Sequence, residues 1–312
     1  MSKIAFVFPG QGAQYVGMGK EIFDNFQVAR DVFEEASDYL NLDMKKLCFE
    51  GPNEELVKTE NTQPAILTTS VATLRVLEME GFTCSITAGL SLGEYTSLVK
   101  ANVLDFKDAV RIVKNRGKFM QEAVPLGVGT MAAILGLDRE ILEKCLAESS
   151  GAGVVEAANF NSPGQIVISG EVEAVEVAME KAKEMGAAKA VLLPVSAPFH
   201  SSLLKPAGER LHEELLKYEV KNPQIPVVTN VAAQILNNKD EVVPALVEQV
   251  SKSVLWEDSV DLMIKEGVDT FIEIGPGKAL TGFIKRIAKT NKYEVKLSNV
   301  DKLEDLKKIL NP

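Results

Sequence analysis

Histidine and cysteine are scarce in this chain, with two of the former and three of the latter among 312 residues. The cysteines, Cys48, Cys84 and Cys145, are odd in number, widely spaced and form no Cys-x-x-Cys pair. That usage argues against a secreted disulfide framework and for a reducing compartment, the cytoplasm. With only His200 and His212 beside them, no zinc-ligand spacing can be assembled, and no metal is expected. An excess of basic residues is missing too. Lys and Arg number 34 against 44 Asp and Glu, a formal charge of −10, the opposite of a polyanion-binding footprint, so neither nucleic acid nor an anionic membrane is an expected partner. No apolar run approaches the roughly 20 residues that cross a bilayer. The five apolar residues at 4–8, before Pro9-Gly10, are too few for a signal-peptide core. What remains is the composition of a globular protein, 46% apolar and 25% charged. A chain of this length buries roughly three quarters of its unfolded surface without disulfide staples.

Short β-branched runs alternate with longer helical periods. Residues 4–8 read as a buried strand entering a loop. Ile22, Phe23, Phe26, Val32, Phe33 and Ala36 recur at three- and four-residue steps, one face of an amphipathic helix. Pro64 suits the first turn of a helix running through Leu67, Val71, Leu74 and Leu77 and closed by Gly81. Asp105 and Asp108 mark the start of another, whose apolar side is Ala109, Val110, Ile112 and Val113 and which carries Arg116. Strands separated by helices of this length predict an α/β fold with a largely parallel sheet. The middle of the chain reads differently: strand 131–137, helix 138–148, strand 154–158, a turn at Asn161-Ser-Pro-Gly164, strand 165–169, helix 171–185 and strand 189–195. The order βαββαβ is that of the ferredoxin-like motif. Residues 126–196 are therefore expected to form a small domain inserted into a core made of 1–125 and 197–312. Strands at 225–229 and 268–274, helices near 240–250 and 256–266, and a final strand–helix pair complete that core.

Gly89-Leu90-Ser91-Leu92-Gly93 has G-x-S-x-G spacing between a β-prone stretch, 83–88, and a helical one, 94–101. A nucleophile elbow requires that context, because small flanking residues permit a strained turn that projects the hydroxyl outward. The other reading is a glycine-bounded turn with a helix-capping serine. His200 lies in Ser196-Ala-Pro198-Phe199-His200-Ser201, a loop beside proline where a general base can be held by a rigid scaffold. His212, within Glu209-Arg-Leu-His-Glu-Glu214, reads as a solvated imidazole on the charged face of a helix. No acid is singled out to complete a triad. Arg116 precedes Gly117, whose missing side chain allows another group to come close. Its fork could hold a carboxylate two-pronged, or it could make a surface salt bridge, which spacing alone favours. Gly10-Gln11-Gly12 fails as a dinucleotide fingerprint because Tyr15 stands where glycine belongs, and the Gly-Lys pairs at 19–20, 117–118 and 277–278 lack a following Ser or Thr. No nucleotide cofactor is expected.

Taken in order, Gly10-Gln11-Gly12, Thr62-Gln63-Pro64-Ala65, the elbow at Ser91, Arg116, Asn159-Phe-Asn161-Ser-Pro-Gly-Gln165, Phe199-His200 and Glu273-Ile-Gly-Pro-Gly277 resemble the malonyl-CoA:acyl-carrier-protein transacylases, acyltransferases of fatty-acid and polyketide synthesis. The resemblance runs over nearly the whole chain. It implies a hydrolase-like α/β core with an inserted ferredoxin-like subdomain. It also implies a ping-pong transfer of malonyl from malonyl-CoA to the phosphopantetheine thiol of acyl carrier protein, through Ser91, with His200 as general base and acid. Both thioesters are substrates, and no bound cofactor is implied. Further implied roles are oxyanion donation by the backbone N–H groups of Gln11 and Leu92, pairing of Arg116 with the malonyl carboxylate, and a pocket lined by Gln63. A backbone carbonyl at Gln249 would orient the histidine in place of an acid, and Phe199 matches the malonyl-type pattern. One position departs: the family usually has His in the elbow where this chain has Leu90. Because the carrier is typically acidic, docking would need a local basic face. Lys285, Arg286 and Lys289, with Lys189, could supply it or could be ordinary solvated charges. Two other readings of the same residues are a serine esterase or thioesterase with water as acceptor, and a non-enzymatic scaffold that keeps the fold without the chemistry.

Overall fold

Two sheets organise the chain. The computed structural model describes residues 2–195 and 197–310; Met1, Ser196 and Pro312, which fall on the expected domain bounds, lie outside the described residues. The order begins β1 (Ile4–Phe8), α1 (Lys20–Asn25), α2 (Gln27–Leu40), α3 (Met44–Phe49), α4 (Asn53–Leu56), α5 (Thr59–Met79), β2 (Ile86–Gly89), α6 (Gly93–Lys100) and α7 (Phe106–Glu122). It continues with β3 (Gly129–Leu135), α8 (Arg139–Ser149), β4 (Val155–Ser162), β5 (Gln165–Glu171), α9 (Val172–Glu184) and β6 (Lys189–Leu192). The last stretch is α10 (Lys205–Leu215), β7 (Val227–Val228), α11 (Val242–Ser251), α12 (Trp256–Lys265), β8 (Thr270–Ile274), α13 (Ala279–Asn291), β9 (Lys296–Val300) and α14 (Leu303–Leu310).

The first sheet is parallel throughout, in the order β7-β2-β1-β8-β9. Helices cover both of its faces, which is why β1 reads as an unbroken apolar run. Phe6 and Phe8 point into the larger core with the apolar sides of α2, α5 and α7, while Ala5 and Val7 point the other way, onto Trp256, Val260, Ile284 and Ile287. Each of the larger ones, such as Phe6, Val7 and Phe8, contributes about 1.5–3 kcal/mol when fully buried. The second sheet is antiparallel, in the order β4-β5-β3-β6, the arrangement the βαββαβ order predicts. One face packs Ala132, Ile134, Ile166 and Ile168 against α8 and α9. Met131, Ala158 and Val167 join the larger core from the other face. The fold is thus the expected α/β one, hydrolase-like with a ferredoxin-like sheet. The two parts are laced together at Val254, which exchanges backbone hydrogen bonds with Ala158 and Phe160 on β4 (2.8 and 2.9 Å).

Several local expectations are corrected. The single helix read through Ile22–Ala36 is two, broken at Phe26, whose backbone is extended. The break lets Phe23 meet both Phe33 and Phe49 edge-on, with ring centroids 5.7 and 5.2 Å apart. The helix assigned a start at Pro64 begins five residues earlier, at Thr59. Thr62 fixes that first turn by donating Oγ1–H to the Leu56 carbonyl, and burial on nearly every side outweighs the hydrogen bond that proline removes. The turn read at Asn161–Gly164 is tighter. β4 runs on to Ser162, and only Pro163 and Gly164, with φ +68° at the glycine, make the hairpin. The strand read over 189–195 stops at Leu192 and is an exposed edge, not an apolar interior strand.

Candidate active site

Ser91 stands between the end of β2 and the start of α6 with φ +52°. The two glycines of the motif are there for space. A Cβ on Gly93 would fall on the Phe8 carbonyl of β1, and one on Gly89 would fall on the Gly93 carbonyl. The turn can therefore be this tight only without those side chains. Asn230, just beyond β7, clamps it: its Oδ1 accepts from the Ser91 backbone N–H (2.6 Å), and its Nδ2 donates to the Gly89 carbonyl (2.7 Å). Glycine and serine thus form a strained elbow rather than a simple capped turn.

His200 reaches the same point from the loop after β6, also at positive φ (+59°). Its Nε2 is 2.7 Å from Ser91 Oγ, and its Nδ1 is 2.7 Å from the Gln249 backbone carbonyl. A carbonyl only accepts, so Nδ1 carries the proton and donates it there. Nε2 then presents a lone pair, and the serine hydroxyl donates to it. The carbonyl stands where a Ser-His-Asp triad has its acid. Burial, with the nearby Arg116 charge second, holds the imidazole down at about 4, so at neutral pH it is an uncharged base.

Arg116 is only 1% exposed, and no carboxylate lies in ion-pair range of it among the described residues. The surface salt bridge favoured by spacing is therefore absent. Nη1 donates to Gln63 Oε1 (2.8 Å), while Nη2 donates to Gln249 Oε1 (2.9 Å) and to Ser91 Oγ (3.2 Å). Its Nε is buried without a hydrogen-bond partner among the described residues. Burial lowers the guanidinium from its ordinary value. The close approach expected at Gly117 is to α5: a Cβ there would fall on the Thr59 carbonyl. Gln63 is thereby brought beside Arg116, its Nε2 donating to Met120 Sδ at 3.7 Å.

Of the remaining expected residues, Leu92 is buried at the start of α6, and Gln11 lies in the loop after β1. Neither backbone N–H meets a protein acceptor among the described residues. Phe199 is buried in the larger core next to His200. Leu90 packs with the cluster on the α12–α13 side of the parallel sheet. His212 is exposed on α10. Lys285, Arg286 and Lys289 are exposed on α13, which packs against β4. Lys189 is on β6, three strands from β4 and so roughly 15 Å across the sheet. An open cleft of about 450 Å³, lined by Glu156, Ala157, His200, Val231, Lys252 and Leu255, leads to the imidazole.

Three residues of the site were not read from the sequence: Asn230, Glu94 and the side chain of Gln249. Asn230 could have been found from its place, since Gln11, Ser91 and Asn230 all follow carboxyl ends of parallel strands, where open α/β sheets bind ligands.

The acyl transferase domain family matches residues 5–302. The malonyl CoA-acyl carrier protein transacylase of Bacillus subtilis is 51% identical over 288 residues, which cover 92% of this chain and 91% of that protein. The chain belongs to the acyl transferase family. The enzyme of the same name from Escherichia coli is 50% identical over 291 residues, covering 93% of this chain and 94% of the other. The crystal structure of the malonyl CoA-acyl carrier protein transacylase from Clostridium perfringens superposes with a TM-score of 0.95 at 50% identity, over 99% of this chain and 96% of that one. A malonyl-transacylase solved in complex with its holo type II PKS acyl-carrier protein also superposes with a TM-score of 0.95, at 45% identity and 99% coverage of both chains. Within the acyl transferase fold the quoted motifs divide their labour. Gln63, Ser91, Arg116 and His200 converge, whereas Glu273 works at a distance as a helix cap, accepting from the backbone N–H groups of Leu280 and Thr281 at the start of α13.

Proposed function

We propose that this acyl transferase moves a malonyl group from malonyl-CoA to the phosphopantetheine thiol of an acyl carrier protein, by a ping-pong route through Ser91. The observation that carries the reading is Arg116, a buried guanidinium with no carboxylate in ion-pair range among the described residues and only Glu94 acting on it at longer reach, which aims Nη2 at the nucleophile's oxygen from 3.2 Å. Burying an unpaired charge is costly. An acyl group ending in a carboxylate would remove that cost, and a plain fatty acyl group would not.

In the first half-reaction neutral His200 Nε2 takes the proton of Ser91 Oγ as the oxygen attacks the thioester carbonyl. The charge developing on the carbonyl oxygen falls to the backbone N–H groups of Gln11 and Leu92, the latter at a helix N-terminus whose dipole favours negative charge. The C–S bond breaks, and the imidazolium returns its proton to the departing CoA sulfur. In the second half the carrier's thiol gives its proton to Nε2, attacks the malonyl ester, and Ser91 leaves with that proton. The Gln249 carbonyl holds the imidazole in the tautomer both halves need. We take 1–125 and 197–312 as the catalytic core, 126–196 as the inserted subdomain, and the cytoplasm as the location. Lys285, Arg286 and Lys289 on α13 are the proposed docking face for the acidic carrier.

The test is the fate of CoA. With malonyl-CoA alone, release should stop near one equivalent per chain, and adding holo carrier protein should restart it with formation of malonyl carrier. Steady release of CoA and free malonate at the same rate without carrier would make the chain a thioesterase.

A further inference from the structure

The helix that follows the nucleophile carries a carboxylate that none of these steps uses. Glu94, on the first turn of α6, is fully buried. Its Oε2 accepts from the Asn230 backbone N–H (3.0 Å) and from Gln249 Nε2 (2.7 Å). Each of those two residues is itself bonded to the reacting groups. Asn230 holds the backbone of the elbow at Ser91 N–H and the Gly89 carbonyl. Gln249 donates from Nε2 to the Ser91 carbonyl (3.0 Å), accepts from Arg116 Nη2 at Oε1, and accepts from His200 Nδ1 at its backbone carbonyl.

The two ends of a primary amide differ: one only donates and the other only accepts. A guanidinium only donates, so it needs the oxygen of Gln249, and something on the other side must call for the NH2. The Glu94 oxygen does so most closely, at 2.7 Å, beside the Ser91 carbonyl at 3.0 Å and Asn230 Oδ1 at 3.3 Å. Without it the NH2 loses the shortest of its three acceptors, and the less firmly held Gln249 amide can turn its NH2 toward the guanidinium, two donors face to face. The backbone N–H of Asn230 would also lose its acceptor, loosening the residue that pins the strained serine.

We propose that Glu94 is a positioning residue for acyl transfer: by accepting from Gln249 and Asn230 it sets the direction of the Arg116 fork and holds the Ser91 backbone. The proposal rests on the assignment of Ser91 and Arg116 above. Burial pushes the Glu94 carboxyl up to about 7, against its hydrogen bonds from Gln249 and Asn230 and the nearby Arg116 charge. A carboxyl oxygen accepts in either protonation state, so the role needs an acceptor rather than a charge. The isosteric glutamine, accepting through its own Oε1, should therefore substitute.

The test compares full-length Glu94→Gln and Glu94→Met by unfolding temperature, by the rate at which a fluorophosphonate labels Ser91, and by kcat and KM for malonyl-CoA and acetyl-CoA. The glutamine variant should stay within about threefold of the parent in labelling rate, kcat and KM, as a retained acceptor predicts. The methionine variant should slow labelling by at least about tenfold and lower malonyl kcat/KM by at least about 100-fold, the scale of losing buried hydrogen bonds at a reacting centre. The malonyl loss should exceed the acetyl loss, because Arg116 is misdirected. A methionine variant that labels and turns over like the parent, or a glutamine variant as impaired as the methionine one, overturns the proposal. If the methionine variant does not fold, Gln249→Met takes its place. It keeps the carbonyl on His200 but removes the amide bridge, and equal losses on malonyl and acetyl would then refute the role assigned to Glu94. Fluorophosphonate needs no particular acyl donor, so the labelling arm judges Glu94 even should malonyl prove the wrong substrate.

Discussion

Replacing Arg116 with methionine separates binding of the acyl carboxylate from everything else the residue does. The stem volume is kept and the charge is lost. On the stability side, Gln63 Oε1 and Gln249 Oε1 each lose a donor, at about 1–3 kcal/mol for each buried acceptor left alone. Against that, a buried guanidinium with no carboxylate in ion-pair range among the described residues, and only Glu94 acting on it at longer reach, no longer has to be desolvated, which is worth several kcal/mol in the other direction. The two offset, so the unfolding free energy should change by less than about 2 kcal/mol. On the functional side, a two-pronged charge-assisted contact to a carboxylate disappears, a loss of about 2–3 kcal/mol that applies to malonyl and not to acetyl. At 1.36 kcal/mol per decade that is roughly a 30- to 150-fold fall in malonyl kcat/KM relative to acetyl kcat/KM. Stopped-flow release of CoA from each thioester, with chemical denaturation run alongside, measures both sides. Equal losses on malonyl and acetyl, in a variant that is still folded, would refute the carboxylate-clamp reasoning.

Three further outcomes follow from the same geometry. With His200 held down at about 4, single-turnover malonyl-enzyme formation should stay level from pH 8 to about 5 and fall only near 4, and an acid limb centred at the ordinary histidine value of about 6.5 would contradict the buried, carbonyl-bound imidazole. Stability carries a related signature. Between pH 6.5 and 4 the unfolded chain protonates His200 while the folded one refuses, destabilising by up to about 3 kcal/mol as pH falls. Glu94, raised to about 7, works the opposite way from pH 7 down to about 4.5, because the folded chain keeps a proton the unfolded one releases. Glu94→Gln should therefore lose stability more steeply on acidification than the parent, as read by denaturation at pH 7, 6 and 5, and parallel curves would contradict the pair. Leu90→His should cost about 1 kcal/mol of packing and leave malonyl-enzyme formation near the parental rate, since Leu90 packs toward the α12–α13 side; a large change in rate would place that side chain in the reaction instead.

How far the sequence alone reached depended on whether a residue's role is local. The alternation of strands and helices was readable because β1 is buried on both faces and the amphipathic helices keep one apolar side. The elbow was readable because its glycines are demanded by contacts within a few residues of the turn. His200 emerged by elimination, since one of only two histidines lies on a charged helix face. Arg116 was not readable from spacing, because whether an arginine in a helix faces solvent or a buried pocket is decided by α5 meeting α7 at Gly117. Glu94 was hidden for a different reason. An acid in the first turn of a helix looks like an ordinary partner for the helix dipole, and only folding brings Asn230 and Gln249, more than 130 residues away, onto its oxygen. The break at Phe26 and the early start of α5 follow from side-chain packing that no one-dimensional period contains.

Peptide mapping of chain quenched milliseconds after mixing with malonyl-CoA looks for the malonyl ester on Ser91 itself. One malonyl group per chain is expected, located on the peptide carrying Gly89–Gly93, absent in Ser91→Ala and discharged by a phosphopantetheine thiol. A malonyl group on any other residue, or undiminished transfer to carrier protein by Ser91→Ala, would contradict it.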